Sequence, residues 1–294
     1  MSATDFDTAR EPVRGRTATS RTPGTRALTY TLLGLGLVVM AAPFLWMAIS
    51  AFKTQKDLGA SPPVWIPTEW TLANFRELLD LMDIGQNFLN SAFVAVVVTA
   101  CNLVFCSMLG YALAKLNFAG RKVVLSVVLG ALMVPGNLML LPKFVMMSKM
   151  GLIDSYAALI LPFAAGAFGV FLMRQFMMAI PDELLEAARI DGAGEWYIFW
   201  RIVMPLVKPA LATLTIFVFL GSWNNFLWPL VATNDPEKFT LPVALATFAT
   251  DPTKAAGSNG VLMAGAFLVV LPVVVVFVAL QRHFTQGIAT SGLK

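Results

Sequence analysis

Six stretches of this chain, roughly residues 28–52, 88–114, 123–147, 155–177, 206–232 and 261–281, are each apolar for long enough to cross a bilayer as a helix. A backbone in lipid must satisfy its own polar groups, so such runs fold as helices. The sequence therefore specifies an all-α integral membrane protein with six transmembrane helices. Only 13% of its residues are charged, against roughly 25% in soluble domains, and its mean hydropathy is +0.73. In a soluble protein a net charge of +4 would suggest a nucleic-acid partner. Here the basic residues flank apolar runs, as orientation signals do, and no nucleic acid is expected.

The first run is longer than the apolar region of a signal peptide and follows five arginines, Arg10, Arg14, Arg16, Arg21 and Arg26. It is read as an uncleaved first crossing. With the N-terminus inside, about two thirds of the 21 lysines and arginines fall on the cytoplasmic side, among them Lys115, Arg121, Lys122, Arg174, Arg189 and Arg201, which places both termini in the cytoplasm. Residues 1–26, rich in Thr, Ser, Pro and Arg, read as a disordered cytoplasmic tail. Residues 27–282 are the membrane domain and 283–294 a cytoplasmic C-terminal tail.

Several chemistries are excluded. Cys101 and Cys106 lie about 500° apart on one helix, so they do not pair and are read as packing residues. With a single histidine, His283, no zinc site of the usual kind is expected. No clustered carboxylates or nucleophile–base pair marks a catalytic site. The chain lacks G-x-x-x-x-G-K-[ST], so it has no phosphate-cradling loop of its own.

Two extracytoplasmic loops are long enough to matter. Residues 53–86 carry Pro62, Pro63, Trp65, Pro67 and Trp70, and residues 233–260 carry Asp235, Pro236, Glu237, Lys238 and an apolar stretch from Leu241 to Phe248. Each is a docking surface for an external partner or a solvated connector. Inside the spans, Asn90, Asn102, Ser107, Asn137, Asn224 and Asn225 are polar, and such residues face a cavity or another helix. Asn137 follows Pro135 and Gly136, where a helix is expected to break. Asn224 and Asn225 lie beside Trp223 and Trp228. Amides beside aromatic rings suit a sugar, so Asn137, Trp223, Asn224 and Asn225 are the candidate substrate-pathway residues; interhelical hydrogen bonding is the competing role. No charge sits mid-membrane, which speaks against a proton relay and suggests a neutral substrate. An ion-coupled secondary transporter or channel acting alone is the alternative reading.

Residues 181–205 do not belong in lipid. Pro181 suits the first helical position, and Asp182 and Glu183 favour the positive end of the helix dipole. Leu184, Ala187, Ala188 and Asp191 are spaced to share one side. Gly192, Ala193 and Gly194 break the helix before a second amphipathic stretch, Glu195 to Met204, ahead of Pro205 and Pro209. The segment is a helix–turn–helix outside the bilayer, and on these residues alone it is equally an interfacial loop without a partner.

Glu186-Ala187-Ala188, Asp191-Gly192-Ala193, Ile202 and Pro205 resemble the EAA loop of ABC-importer permeases. Pro62-Pro63-Val64-Trp65-Ile66-Pro67, Thr71-Leu72-Ala73-Asn74-Phe75, Gly151-Leu152-Ile153-Asp154-Ser155-Tyr156, Leu159-Ile160-Leu161-Pro162, Trp223-Asn224-Asn225-Phe226-Leu227-Trp228-Pro229 and Thr240-Leu241-Pro242-Val243 resemble the carbohydrate-importer branch, which contains the second permease of the maltose transporter. The resemblance runs from about residue 28 to the C-terminus. It implies the type I importer permease fold in a bacterial cell membrane. It further implies a second permease, two ATP-binding subunits that use ATP and Mg2+, and an extracytoplasmic sugar-binding protein touching the 53–86 and 233–260 loops. The resemblance also implies that 181–205 is the coupling loop gripped by the ATPase, with Glu186 as charged contact, Ala187 and Ala188 as small packing residues, Asp191 beside them and Gly192 at the turn. Gly194 departs from the pattern and suggests a looser turn. The tail from His283 is similar to that branch as well, where it reaches between the ATPase subunits.

Overall fold

A computed structural model describes residues 23–251, 253 and 259–291. Most of the N-terminal tail, part of the 233–260 loop and the last three residues lie outside this range, as do the side chains beyond Ala279, His283 included. The described residues are helical, with no strand among them. Three single helices are long and apolar enough to cross a membrane: Ala27–Ala51, Ile84–Lys115 and Asn259–Ala279. Three bent helix pairs pass the same test together, which makes up to six spans if each pair is one span.

The first helix runs Pro23–Ala51, and its described residues up to Trp46 belong to a unit of their own. Residues from Met47 onward form the second unit, described below by itself.

At its centre is the second span, Ile84–Lys115. At about 1.5 Å per residue it is roughly 48 Å long, beyond the ~30 Å hydrocarbon core. Small residues let the fourth span, Ala167–Met178, approach it closely. A Cβ on Gly110 would lie 2.9 Å from Met173 Cβ, and one on Gly169 would lie 2.9 Å from Cys106 Sγ. Contacts of this kind drive helix association in lipid, where the solvent is as apolar as the core. Cys101 and Cys106 are both free thiols. The fourth span bends by 41° between Tyr156–Phe163 and Ala167–Met178, and Asn102 satisfies the break. Its amide donates to Phe163 O at 2.6 Å, and its Oδ1 accepts from Gly166 N at 3.0 Å.

The third run, 123–147, is broken where Pro135 and Gly136 led us to expect it. Arg121–Met133 and Gly136–Lys149 meet at 102°. The first half, 13 residues, reaches only about 20 Å. Pro135 removes an amide donor and clashes with the preceding turn, which accounts for the break. The fifth run likewise ends early: its helix is Lys208–Trp223, followed by Leu227–Ala232. The sixth helix, Asn259–Ser291, exceeds the apolar run at 261–281 and continues through most of the expected tail.

Residues 53–86 are folded rather than extended. Asp57 accepts from the Thr68 amide at 2.9 Å and from its hydroxyl at 2.8 Å. Asn74 donates to the carbonyls of Ala51 and Lys53. Asp154, in the left-handed region at φ 63°, ties the connection after the third span to the 233–238 loop by accepting from Asn234 N and Asp235 N. The apolar stretch in that second loop is the helix Leu241–Thr250. Leu241, Val243 and Phe248 are buried, so one face of this helix packs in the core, while Thr247, Ala249 and Thr250 are exposed.

Candidate functional site

The segment from Pro181 to Pro205 forms the helix–turn–helix expected of it. The first helix is Asp182–Ile190; Pro181 precedes its first turn as the cap rather than occupying it. Asp191 N donates to Ala187 O, Gly192 N to Arg189 O and Ala193 N to Ala188 O at 2.9 Å, and Gly192 lies at φ 85°. This is a Schellman cap, which needs the left-handed conformation that glycine adopts without penalty. Gly194 has an ordinary extended backbone, φ −74°, so the second glycine does not loosen the turn. A Gly192→Val protein is expected to lose about 1–2 kcal/mol at this cap, read as faster amide exchange over 182–193 with the span bundle unchanged.

Of the four residues spaced to share one side, Leu184, Ala187 and Asp191 are exposed, and Ala188 is partly buried. Leu185 is 1% exposed and Ala188 packs beside it, within a cluster that includes Met177, Ile198, Phe199, Val203 and Val207. Leu184, Glu186, Ala187, Ile190 and Asp191 face outward, and Ile190 is 85% exposed. Of the two alanines, then, Ala187 is presented to the outside while Ala188 turns to the protein's own core. Beyond the turn, Glu195–Tyr197 leads into a π-helical stretch, Ile198–Val203. The chain then bends by 80° between Glu195–Leu206 and Lys208–Trp223, beside Pro205 and Pro209, each lacking an amide donor.

Side chains far away in sequence fix this segment to the bundle. Lys115, at the end of the second span, donates to Ile180 O and pairs with Asp182 Oδ1 at 2.6 Å. One turn earlier, Tyr111 OH donates to Glu195 Oε2 at 2.6 Å, and the other carboxylate oxygen accepts from Arg189 Nε at 2.7 Å. Glu195 thereby ties together the second span, the first short helix and the second. Arg121 and Arg174 cap the same end of the span, both donating to Leu113 O, where the helix dipole favours cations.

The Arg189 guanidinium, chiefly, with the Tyr111 hydroxyl, holds the Glu195 carboxyl below its ordinary 4.5. A depressed carboxylate contributes fully above its unfolded value and loses that contribution as pH falls through the folded one. The clamp is therefore expected to be constant from about pH 5 to 8 and to loosen only in more acidic solution. Amide exchange over 182–197 as a function of pH checks this. The Arg189–Glu195 pair is solvent-screened, at 36% and 43% side-chain exposure, and contributes at most about 1 kcal/mol.

The candidate substrate-pathway residues separate. Asn137 and Asn225 line one cavity of about 190 Å³ together with Gly136, Leu140, Lys143, Phe163, Leu227 and Trp228. Trp223 does not join them. It is 1% exposed, its indole N–H donates to Val269 O in the sixth helix at 2.9 Å, and its ring packs on Phe88 and Phe219. Asn224, exposed at the end of the fifth helix, is not in the cavity lining either. Asn90 and Asn102 are interhelical connectors: Asn90 accepts from Tyr156 OH and donates to Glu237 O and Phe239 O. Ser107 Oγ is buried without a hydrogen-bond partner among the described residues. Among those residues no His, Cys, Asp and Glu group has the makings of a metal site.

Lys115, Tyr111 and Glu195 carry no local sign of their role beyond the four-residue spacing of the first two. Lys143 lies near the end of the third apolar run in sequence, and beyond the 102° bend it lines the cavity.

A bundle of long apolar helices with one amphipathic helix clamped to it fits a polytopic membrane protein. Residues 106–290 match the family described as binding-protein-dependent transport system inner membrane component. The chain is 37% identical over 268 residues to the arabinooligosaccharides transport system permease protein AraQ of Halalkalibacterium halodurans, covering 89% of this chain and 95% of that one. It is 34% identical over 264 residues to the lactose transport system permease protein LacG of Rhizobium radiobacter, covering 89% and 94%. It is 32% identical over 265 residues to the diacetylchitobiose uptake system permease protein NgcG of Streptomyces coelicolor, covering 90% and 87%. A chain from the crystal structure of a bacterial ABC transporter involved in alginate import has the same fold, with a TM-score of 0.81 at 24% identity over 93% of this chain and 100% of that one. The chain belongs to the binding-protein-dependent transport system inner membrane component family, and it is a permease, a translocation component rather than an enzyme.

Proposed function

We propose that this permease carries a sugar across the cell membrane by alternating access, driven by ATP-binding subunits that grip the helix Asp182–Ile190. The supporting observation is the two-sidedness of that helix. Leu185 and Ala188 hold it to the bundle, while Leu184, Glu186, Ala187 and Ile190 lie open. A lever needs both properties: rigid attachment to what it moves and a free face for what moves it.

In this reading Glu186 is the charged contact, Ala187 the close-approach residue, Asp191 a rim contact and Gly192 the turn. Ala188 serves attachment. ATP and Mg2+ bind the partner subunits, since the sequence lacks a phosphate-cradling loop. The permease pairs with a second, similar one, and a sugar-binding protein meets the exposed Trp65, Ile66 and Trp70 and the 234–239 turn. The names of relatives that act on arabinooligosaccharides, lactose and diacetylchitobiose support a carbohydrate cargo.

Both termini are assigned to the cytoplasm from the charge bias, and Lys115, Arg121 and Arg174 gather beside the lever helix in keeping with it. The test is reconstitution in vesicles with the second permease, the ATPases and the binding protein. ATP hydrolysis is expected to rise when binding protein and sugar are both present. Hydrolysis indifferent to both, or uptake by the chain alone on an ion gradient, contradicts the proposal.

A further inference from the structure

The break at Pro135 leaves polar backbone and side chains beside a cavity. Gly136, Asn137, Leu140 and Lys143 from one side of the bend meet Phe163 from the fourth span and Asn225, Leu227 and Trp228 from the end of the fifth. Irregular backbone at membrane depth is tolerated where it is buried in protein or lines a water-filled space.

The Lys143 ammonium stands 4.4 Å from the centroid of the Phe163 ring. No carboxylate pairs with it among the described residues, whose ion pairs involve Lys115, Arg189 and Lys238. Nor does the Asn137 side chain have a hydrogen-bond partner among them, and Asn225 has only a weak contact, its Oδ1 3.5 Å from Trp228 N. Trp228 is 3% exposed and its indole N–H is occupied by Ala158 O at 2.9 Å, so it is a fixed, buried wall of the cavity. The cavity thus gathers one uncompensated cation, two amides with free capacity and a held aromatic ring. A cation without a counter-charge in such surroundings favours an anion.

We propose that this cavity is a passage subsite for an acidic sugar unit, with Lys143 meeting its carboxylate. Asn137 and Asn225 hydrogen-bond the hydroxyls. One lysine balances one carboxylate; a sugar phosphate, with nearly twice the charge at neutral pH, is left uncompensated. The absence of charge along the straight runs suggests a neutral cargo, but the bend carries a charge inward that the linear sequence places near the end of a run.

This inference rests on the importer reading, and the experiment separates the two. Uptake by the complete reconstituted importer is measured with a galacturonate disaccharide, the matching neutral galactose disaccharide and a galactose phosphate. Lys143→Gln is expected to lower galacturonate uptake about tenfold while neutral uptake changes less than twofold, and Lys143→Arg to restore most of the loss. Asn225→Ala is expected to lower both disaccharides alike, which provides a second probe of the cavity if the Lys143 variants assemble poorly. The inference is overturned if Lys143→Gln affects both disaccharides equally, as a contact to the partner permease or to lipid would produce. It is also overturned if Asn225→Ala changes neither disaccharide, if only the neutral one is carried, or if the phosphate is preferred. In each case ATP-driven uptake of any of the three keeps the importer reading intact; no ATP-driven uptake at all overturns both.

Discussion

A Leu185→Asp permease is expected to keep its spans folded and to lose transport by two orders of magnitude or more. Leu185 is 1% exposed and belongs to the cluster that joins the lever helix to the second, fourth and fifth spans. Removing a fully buried leucine forfeits about 1.5–3 kcal/mol. Leaving an unpaired carboxylate in its place adds several more, unless the group escapes to water. The escape open to a nine-residue helix is to lift from the bundle. Once lifted it no longer transmits force, even if a partner still binds its outer face. Leu185→Met, which conserves volume and costs less than about 1.5 kcal/mol, is the control and is expected to transport. Uptake in reconstituted vesicles, with amide exchange over 182–190, reads both halves of the expectation. Normal uptake by Leu185→Asp contradicts the attachment argument.

The second large effect is on assembly of the bundle. A Cβ at Gly110 would stand 2.9 Å from Met173 Cβ and 3.0 Å from the backbone nitrogen of Arg174. Backbone cannot step aside as a flexible side chain does, so Gly110→Val forces the second and fourth spans apart. Overpacking costs about 1–3 kcal/mol in ordinary cores. Here separation also opens the Leu113 end, where Arg174 donates across the same interface. The thermal unfolding midpoint of the purified protein in detergent is expected to fall by several degrees for Gly110→Val and by less for Gly110→Ala. An unchanged midpoint for the valine variant contradicts the close approach.

What the sequence disclosed and what it hid follow from range. The helical membrane fold was legible because lipid imposes a local demand, long apolar runs, which three helices meet alone and three bent pairs meet together. The helix–glycine–helix of 181–205 was legible because Schellman capping is written within six residues, Ala188 to Ala193. Its attachment was not. Tyr111 and Glu195 are 84 positions apart, and neither type at either place signals the other. The spacing put Leu184, Ala187, Ala188 and Asp191 on one side without saying which side faces the bundle; burial of Leu185 in the cluster with Val203 and Val207 shows it.

Pro135-Gly136 announced a break, but not its 102° angle, and that angle is what moves Lys143 beside Asn137 and Asn225. Trp223 and Trp228 looked alike, two indoles beside two amides. The end of the fifth helix divides them, sending Trp223 to Val269 and Trp228 to the cavity rim.

The central claim is that the helix Asp182–Ile190 is gripped on one face by an ATP-binding subunit while the other holds the bundle. Cross-linking from single cysteines tests it most directly, with Cys101 and Cys106 replaced and either Ala187→Cys or Ala188→Cys introduced into the complete importer. The account predicts a rapid cross-link to the ATPase from position 187, on the outward face, and little from 188, which packs against the cluster around Leu185. An importer that hydrolyses ATP in response to sugar and binding protein, yet forms no ATPase cross-link from position 187, would contradict it.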